Sequence, residues 1–134
     1  MKIRETKNFK IKEVAVSASY PNLAVLPNDA LTIKNINHTL EKLQIIRDDL
    51  NKPMFILSFY RNEQLNKAVK GATNSQHKYG TAVDFTISGA NIQLVANYIY
   101  EKKYPFIDKI IYYSQQNFIH LTILKKGSNR YWKQ

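Results

Sequence analysis

Apolar residues recur along this chain with two different periods. Over residues 32–50, T-I-K-N-I-N-H-T-L-E-K-L-Q-I-I-R-D-D-L, the residues Ile33, Ile36, Leu40, Leu43, Ile46 and Leu50 fall at three- and four-residue steps. That spacing predicts a helix with one apolar stripe. Thr32 or Asp29 can cap its start, and N-K-P at 51–53 stops it. A second amphipathic helix is expected from Asn91 to about Lys103, and a short one over 62–69. Gly71 follows the short one at a position that suits a left-handed cap.

Elsewhere the period is two. Residues 54–60, M-F-I-L-S-F-Y, read as a buried strand, and 83–87, V-D-F-T-I, as an alternating one. Residues 107–113 and 117–123 alternate on either side of S-Q-Q, which predicts a hairpin. N-F-K-I-K-E-V at 8–14 also alternates and reads as a short edge strand. Residues 72–82 are expected to be loop. Early helices and a late hairpin predict an α+β fold, an antiparallel sheet with helices on one face.

Length and composition narrow the classes. The chain has 134 residues, the size of a single domain over 1–134, and needs no disulfide or metal merely to fold. It has no cysteine, so any metal must be held by His, Asp or Glu. No secretory signal is visible at the start and no apolar run is long enough to span a membrane. The net charge of +10 is uneven: residues 1–12 carry five basic groups and one acid, and 125–134 carry four and none, which leaves +2 for the rest. Two solvated basic ends explain this, as does attraction to an anionic wall polymer or to nucleic acid. The nucleic-acid reading rests on charge and the aromatic tail alone and is the weakest.

The alternation places chemistry on one side of two strands. In 83–87, Asp84 and Thr86 point away from Val83, Phe85 and Ile87. In 118–123, His120 shares a face with Phe118 and Thr122. If the strands are neighbours, Asp84 and His120 converge, and His77 lies in the loop that leads into the first strand. Gly80 lets that loop turn tightly, and Ala82 leaves room beside it. Such a trio suits a catalytic zinc with a fourth position left for water, whose pKa zinc lowers to about 7. Read from residues alone, a structural histidine and a capping aspartate account for the same pattern.

Ser75-x-His77-x-x-Gly80-x-Ala82-x-Asp84 is a full match to S-x-H-x-x-G-x-A-x-D, the signature of the zinc D-Ala-D-Ala carboxypeptidase and dipeptidase family. The chain resembles that family, which shares a fold with the hedgehog signalling domain. Further resemblance lies in S-F-Y-R at 58–61, in L-N-K-A-V-K-G at 65–71, in D-K-I-I-Y at 108–112 and F-I-H-L-T at 118–122, and in N-R at 129–130. About residues 8–130 can be laid on it.

The resemblance implies that His77, Asp84 and His120 ligate Zn2+ and that Arg61 binds substrate and steadies the tetrahedral oxyanion. It also brings Ser75 forward, as a substrate contact or as a buttress of the loop. Apart from the resemblance, most of the nine tyrosines are expected in the core or at its rim, and Tyr60, Tyr79 and Tyr113 are candidates to line a peptide groove, Tyr60 as a substrate contact. The substrate implied is a peptidoglycan stem peptide, cut by zinc-activated water. A short chain of this kind is similar to small phage-type lysis enzymes. Such a protein is made in the cytoplasm and reaches the wall by phage-type release or in a virion, acting as a monomer.

The chain departs from the pattern twice. Phe59 stands where the family has Gly, which predicts a narrower approach to the site. No Glu precedes His120 at the usual spacing; Asn117 stands three residues before it, and Asn can orient water but takes no proton. Tyr113, Tyr112 or Glu63 are the candidate substitutes. A non-catalytic zinc-binding or structural module of the same fold is the alternative reading.

Overall fold

The computed structural model describes all 134 residues. Helix α1 spans Ala30–Leu50 and begins two residues earlier than the apolar stripe alone predicts. Of the two candidate caps, Asp29 serves: its Oδ2 accepts from the Thr32 amide at 3.0 Å. Asn51 ends the helix in the left-handed conformation (φ 52°). Ile33, Ile36, Leu40, Leu43 and Ile46 are all buried, as the stripe requires.

Five strands form one sheet: β1 (Phe55–Ser58), β2 (Ala82–Thr86), β3 (Ile107–Tyr113), β4 (Phe118–Ile123) and β5 (Arg130–Lys133), in the order β1-β2-β4-β3-β5. Helix α2 (Glu63–Ala68) follows β1, and α3 (Ile92–Lys102) joins β2 to β3. The first four strands pair antiparallel. Val83, Phe85, Ile119, Leu121 and Ile110 share one core cluster with Ile36, Leu40 and Leu43 of α1 and Ile92 and Ile99 of α3. The opposite sheet face is thereby left to Asp84, His120 and Thr122. The fold is α+β, as expected.

Three local expectations are corrected. Segment 8–14 is no strand: Phe9 and Val14 are buried, but Ile11 is exposed and lies in a 3-10 turn, Ile11–Glu13. Glu13 folds back to accept from the Lys10 amide at 2.9 Å, which a strand would not allow. Gly71 is not the left-handed cap of α2; Lys70 is (φ 59°). The Lys70 amide reaches the Lys67 carbonyl (3.0 Å) and the Gly71 amide the Asn66 carbonyl (2.8 Å), the bond pair of a Schellman ending.

The sheet, finally, is mixed. Its fifth strand, β5, runs parallel to β3 with Ile110 opposite Tyr131. The basic tail is therefore part of the fold. Gly127 carries the chain across the start of β3, where a Cβ would overlap the Ile107 carbonyl. Tyr131 packs against the core while Trp132 faces outward. No helix is long and apolar enough to cross a membrane.

Candidate metal centre

The site starts from strand register. Asp84 and His120 are direct partners across the antiparallel β2–β4 pair. Such partners project from the same face with Cβ atoms about 5 Å apart. His120 Nδ1 lies 2.8 Å from Asp84 Oδ1, and its Nε2 lies 2.9 Å from Thr122 Oγ1. Thr122 sits two residues along the same face. Its hydroxyl both donates and accepts, so it can serve either tautomer of the imidazole.

His77 arrives from a 3-10 turn, Gln76–Tyr79, inside the expected loop. Ser75 caps that turn by accepting from the His77 amide at 3.3 Å. Gly80 closes it at φ 76°, where a Cβ would also press on Ile36 Cγ1 at 2.6 Å. Glycine is needed there for backbone and for space. Helix α1 holds the turn from outside: Thr39 Oγ1 donates to the Gly80 carbonyl (2.8 Å) and Asn35 Nδ2 to that of Tyr79 (3.0 Å).

His77 is 3% exposed, with its Nδ1 2.7 Å from the Phe59 carbonyl. A carbonyl only accepts, so Nδ1 donates to it and Nε2 is the nitrogen turned toward the centre. That nitrogen points at Asp84 Oδ2, 3.3 Å away. The two imidazoles meet edge to face with centroids 5.3 Å apart.

One donor atom from each of His77, Asp84 and His120 lies within 4.8 Å of the others. Burial pushes the Asp84 carboxyl up. The charge of His77, the hydrogen bonds from both imidazoles and the charge of His120 outweigh it, and hold the group well below the usual carboxylate range. The group is thus an anion flanked by two oriented imidazoles. This donor set fits a divalent metal ion: two imidazole nitrogens and an ionised carboxylate converge, and each imidazole has its second nitrogen engaged by the protein.

Arg61 borders the trio, with Nη2 3.8 Å from Asp84 Oδ2. Burial lowers its pKa, and Asp84 opposes that shift. A guanidinium remains charged under such conditions. Its Nε donates to Ser58 Oγ (3.1 Å) and its Nη1 to Asn66 Oδ1 (3.1 Å). Tyr113 lies close enough to feel both charges. Burial raises its pKa first, Asp84 raises it further, and Arg61 opposes.

Other sequence candidates lie elsewhere or serve the scaffold. Tyr60 is a core residue, 9% exposed, within the main apolar cluster. The Phe59 ring is also buried in that cluster, so it does not narrow the approach; its carbonyl, not its side chain, serves the site. Asn117, in the β3–β4 turn at φ 59°, has its Oδ1 3.4 Å from the hydroxyl of Tyr112, a residue of the core face. Glu63 pairs with Lys78 at 2.7 Å and Asp108 with Arg130 at 2.8 Å. No second carboxylate joins the His77–Asp84–His120 group.

Thr122, Asn66, Thr39 and the Phe59 carbonyl escape the sequence reading. Only Thr122 leaves a trace there, by sharing strand parity with His120. Thr39 and the Phe59 carbonyl are brought in by folding, from 41 and 18 residues away, and Asn66, only five residues from Arg61, meets it through the fold of α2.

A family model, Peptidase M15, matches residues 7–122. No curated protein matches the chain. The matched stretch runs from the N-terminal turn to β4 and contains every residue that surrounds Asp84, from Ser58 to Thr122; the chain belongs to the peptidase M15 family of metal-dependent peptidases.

Proposed function

We propose that this protein is a zinc peptidase that cleaves peptidoglycan stem peptides, as a D-Ala-D-Ala carboxypeptidase or an endolysin-like endopeptidase. The observation that carries the reading is the convergence of His77 Nε2 and His120 Nδ1 on the two oxygens of one buried, ionised carboxylate. His77, Asp84 and His120 would hold the metal. Zinc, when bound, supplies a Lewis acid that polarises a carbonyl and makes water acidic near neutral pH.

The chain's own side chains set the rest. Phe59 and Thr122 fix which imidazole nitrogens face the centre. Arg61 stays charged beside it and offers donors to the oxygen on which charge develops. Tyr113 stays protonated, because burial and Asp84 both disfavour its anion. It is therefore a hydrogen-bond donor near the centre and not a proton acceptor. Ser75 serves the turn that carries His77, its hydroxyl accepting from the His77 amide.

The basic ends support attraction to an anionic wall polymer. Arg4, Lys34 and Lys125 line one cleft with His38 and Glu41, so the charge is gathered locally. Phage-type release to the wall is consistent with that role.

A second reading is a metal-holding module without catalysis. It is favoured by the pairing of Glu63 and Asp108 with cations elsewhere, while no second carboxylate joins the centre as general base. General acid–base help contributes about 10²–10⁴-fold. Metal analysis followed by stem-peptide cleavage with and without chelator decides between them. One zinc per chain with chelator-sensitive cleavage supports the peptidase. Bound zinc without cleavage of any stem peptide or cross-link supports the module. No zinc uptake at all removes both.

A further inference from the structure

We propose that Asn66 and Gly71 form a positioning device for Arg61, which resting on the reading above is the oxyanion-side donor. Three facts converge on it. Arg61 is only 15% exposed at its side chain, and its guanidinium is held at three corners. Nε gives its proton to Ser58 Oγ, Nη1 donates to Asn66 Oδ1, and Nη2 is left facing Asp84.

Asn66, in turn, is fixed at both ends of its amide. It is 2% exposed, its Oδ1 faces the guanidinium, and its Nδ2 donates to the Ala72 carbonyl at 2.9 Å. An arginine only donates and a carbonyl only accepts, so the orientation of this amide is dictated from both sides. The α2 N-cap, Asn62, and the Schellman ending place residue 66 and hold the 70–72 segment over it.

Gly71 completes the device. Its backbone is outside the left-handed region, so no conformational demand calls for glycine. Space does. A Cβ there would overlap Asn66 Oδ1 and come within 2.9 Å of Arg61 Nη1. Any larger residue must therefore break the Asn66–Arg61 contact or move the segment. An arginine has many rotamers, and a donor aimed at developing charge acts fully only when it is already in place.

The test uses the zinc-loaded full chain. In ¹⁵N and ¹³C spectra of arginine side chains, Arg61 should show separate Nη1 and Nη2 signals, because rotation about its Cζ–Nε bond is hindered. Asn66→Ala and Gly71→Ala should merge them, while zinc content stays at the wild-type level. With a D-Ala-D-Ala stem peptide as probe, Asn66→Ala should lower kcat about 10–100-fold with little change in KM. Asn66→Leu, which keeps the bulk and loses the acceptor, should show the same loss. In an Arg61→Ala background the Asn66→Ala change should cost nothing more.

Unchanged Arg61 signals in Asn66→Ala, or an equal activity loss with and without Arg61, would overturn the proposal. If the wild-type protein binds zinc but cleaves nothing, the catalytic reading fails separately. The spectra then still decide whether Asn66 and Gly71 position Arg61.

Discussion

At the scale of single residues, each imidazole nitrogen of the candidate centre has a partner. His77 is oriented by a carbonyl that accepts only, and His120 by a hydroxyl that does both. This difference makes Thr122 the informative position. When a metal takes Nδ1 of His120, the ring proton must sit on Nε2 and needs an acceptor. Thr122→Val keeps the shape and removes that acceptor. Metal affinity should then fall about 10–100-fold, the usual effect of losing an outer partner of a ligating histidine. Competition against a chromophoric chelator measures it; an unchanged affinity would make Thr122 a bystander.

Individual residues also show how far the chain could be read in advance. His77, Asp84 and His120 were legible because strand parity and one signature pointed to them together. The orientation of Asn66 was not, because it depends on a carbonyl and a guanidinium that reach it only after α2 and its flanking turn have folded. Phe59 misled for a related reason. Sequence shows which residue is large, but only packing shows that its ring goes into the core while its carbonyl goes to the site.

At the scale of elements, the long helix and the four antiparallel strands follow from apolar period. The stripe of α1 and the alternation of β2 and β4 are each long enough to bury one face. β5 is different. It has four residues and buries little of its own; neighbours make it a strand. Asp108 in β3 accepts from the Ser128 amide (3.1 Å) and from Arg130 Nη2 (2.8 Å), which ties the approach of β5 to the sheet. Burial pushes the Asp108 carboxyl up, but the Arg130 and Ser128 hydrogen bonds outweigh it and leave the group lowered.

The sign follows. A carboxyl whose pKa is lower folded than unfolded stabilises the fold above its unfolded value, about 3.9. That contribution vanishes as the pH falls through the folded value. Asp108→Asn should therefore cost about 1–2 kcal/mol near neutral pH, at the low end because Arg130 is half exposed. The difference from wild type should shrink toward zero in strong acid. Thermal melts at pH 7 and in strong acid check this; a constant difference would mean that the lost interaction is not ionic.

At the scale of the whole molecule, the candidate metal centre lies where β2, β4, the His77 turn and the Arg61 segment meet. A ligand that joins these elements stabilises only the folded chain. Zinc at a hundred times its dissociation constant should add about 2.7 kcal/mol, seen as a concentration-dependent rise in Tm. The rise should weaken on acidification, since protons compete with the metal for the imidazoles. His77→Ala, Asp84→Ala and His120→Ala should each abolish it. Persistence of the rise in all three variants would place the metal somewhere else.

The sequence by itself determined what depends on local spacing: the helix stripe, the alternating strands, the fold class and the identities of the three candidate ligands. Those properties are periodic, so a reader of one segment needs no knowledge of the next. The tertiary structure alone decided which atoms face the centre, that Gly71 is there for space and Lys70 for the turn, and that the basic tail is a strand parallel to β3. The facing atoms and the β3–β5 pairing join segments far apart in the chain, and the Gly71 and Lys70 roles depend on the closed ending of α2 against Arg61. Burial and hydrogen-bond satisfaction select such contacts only when the whole core has closed.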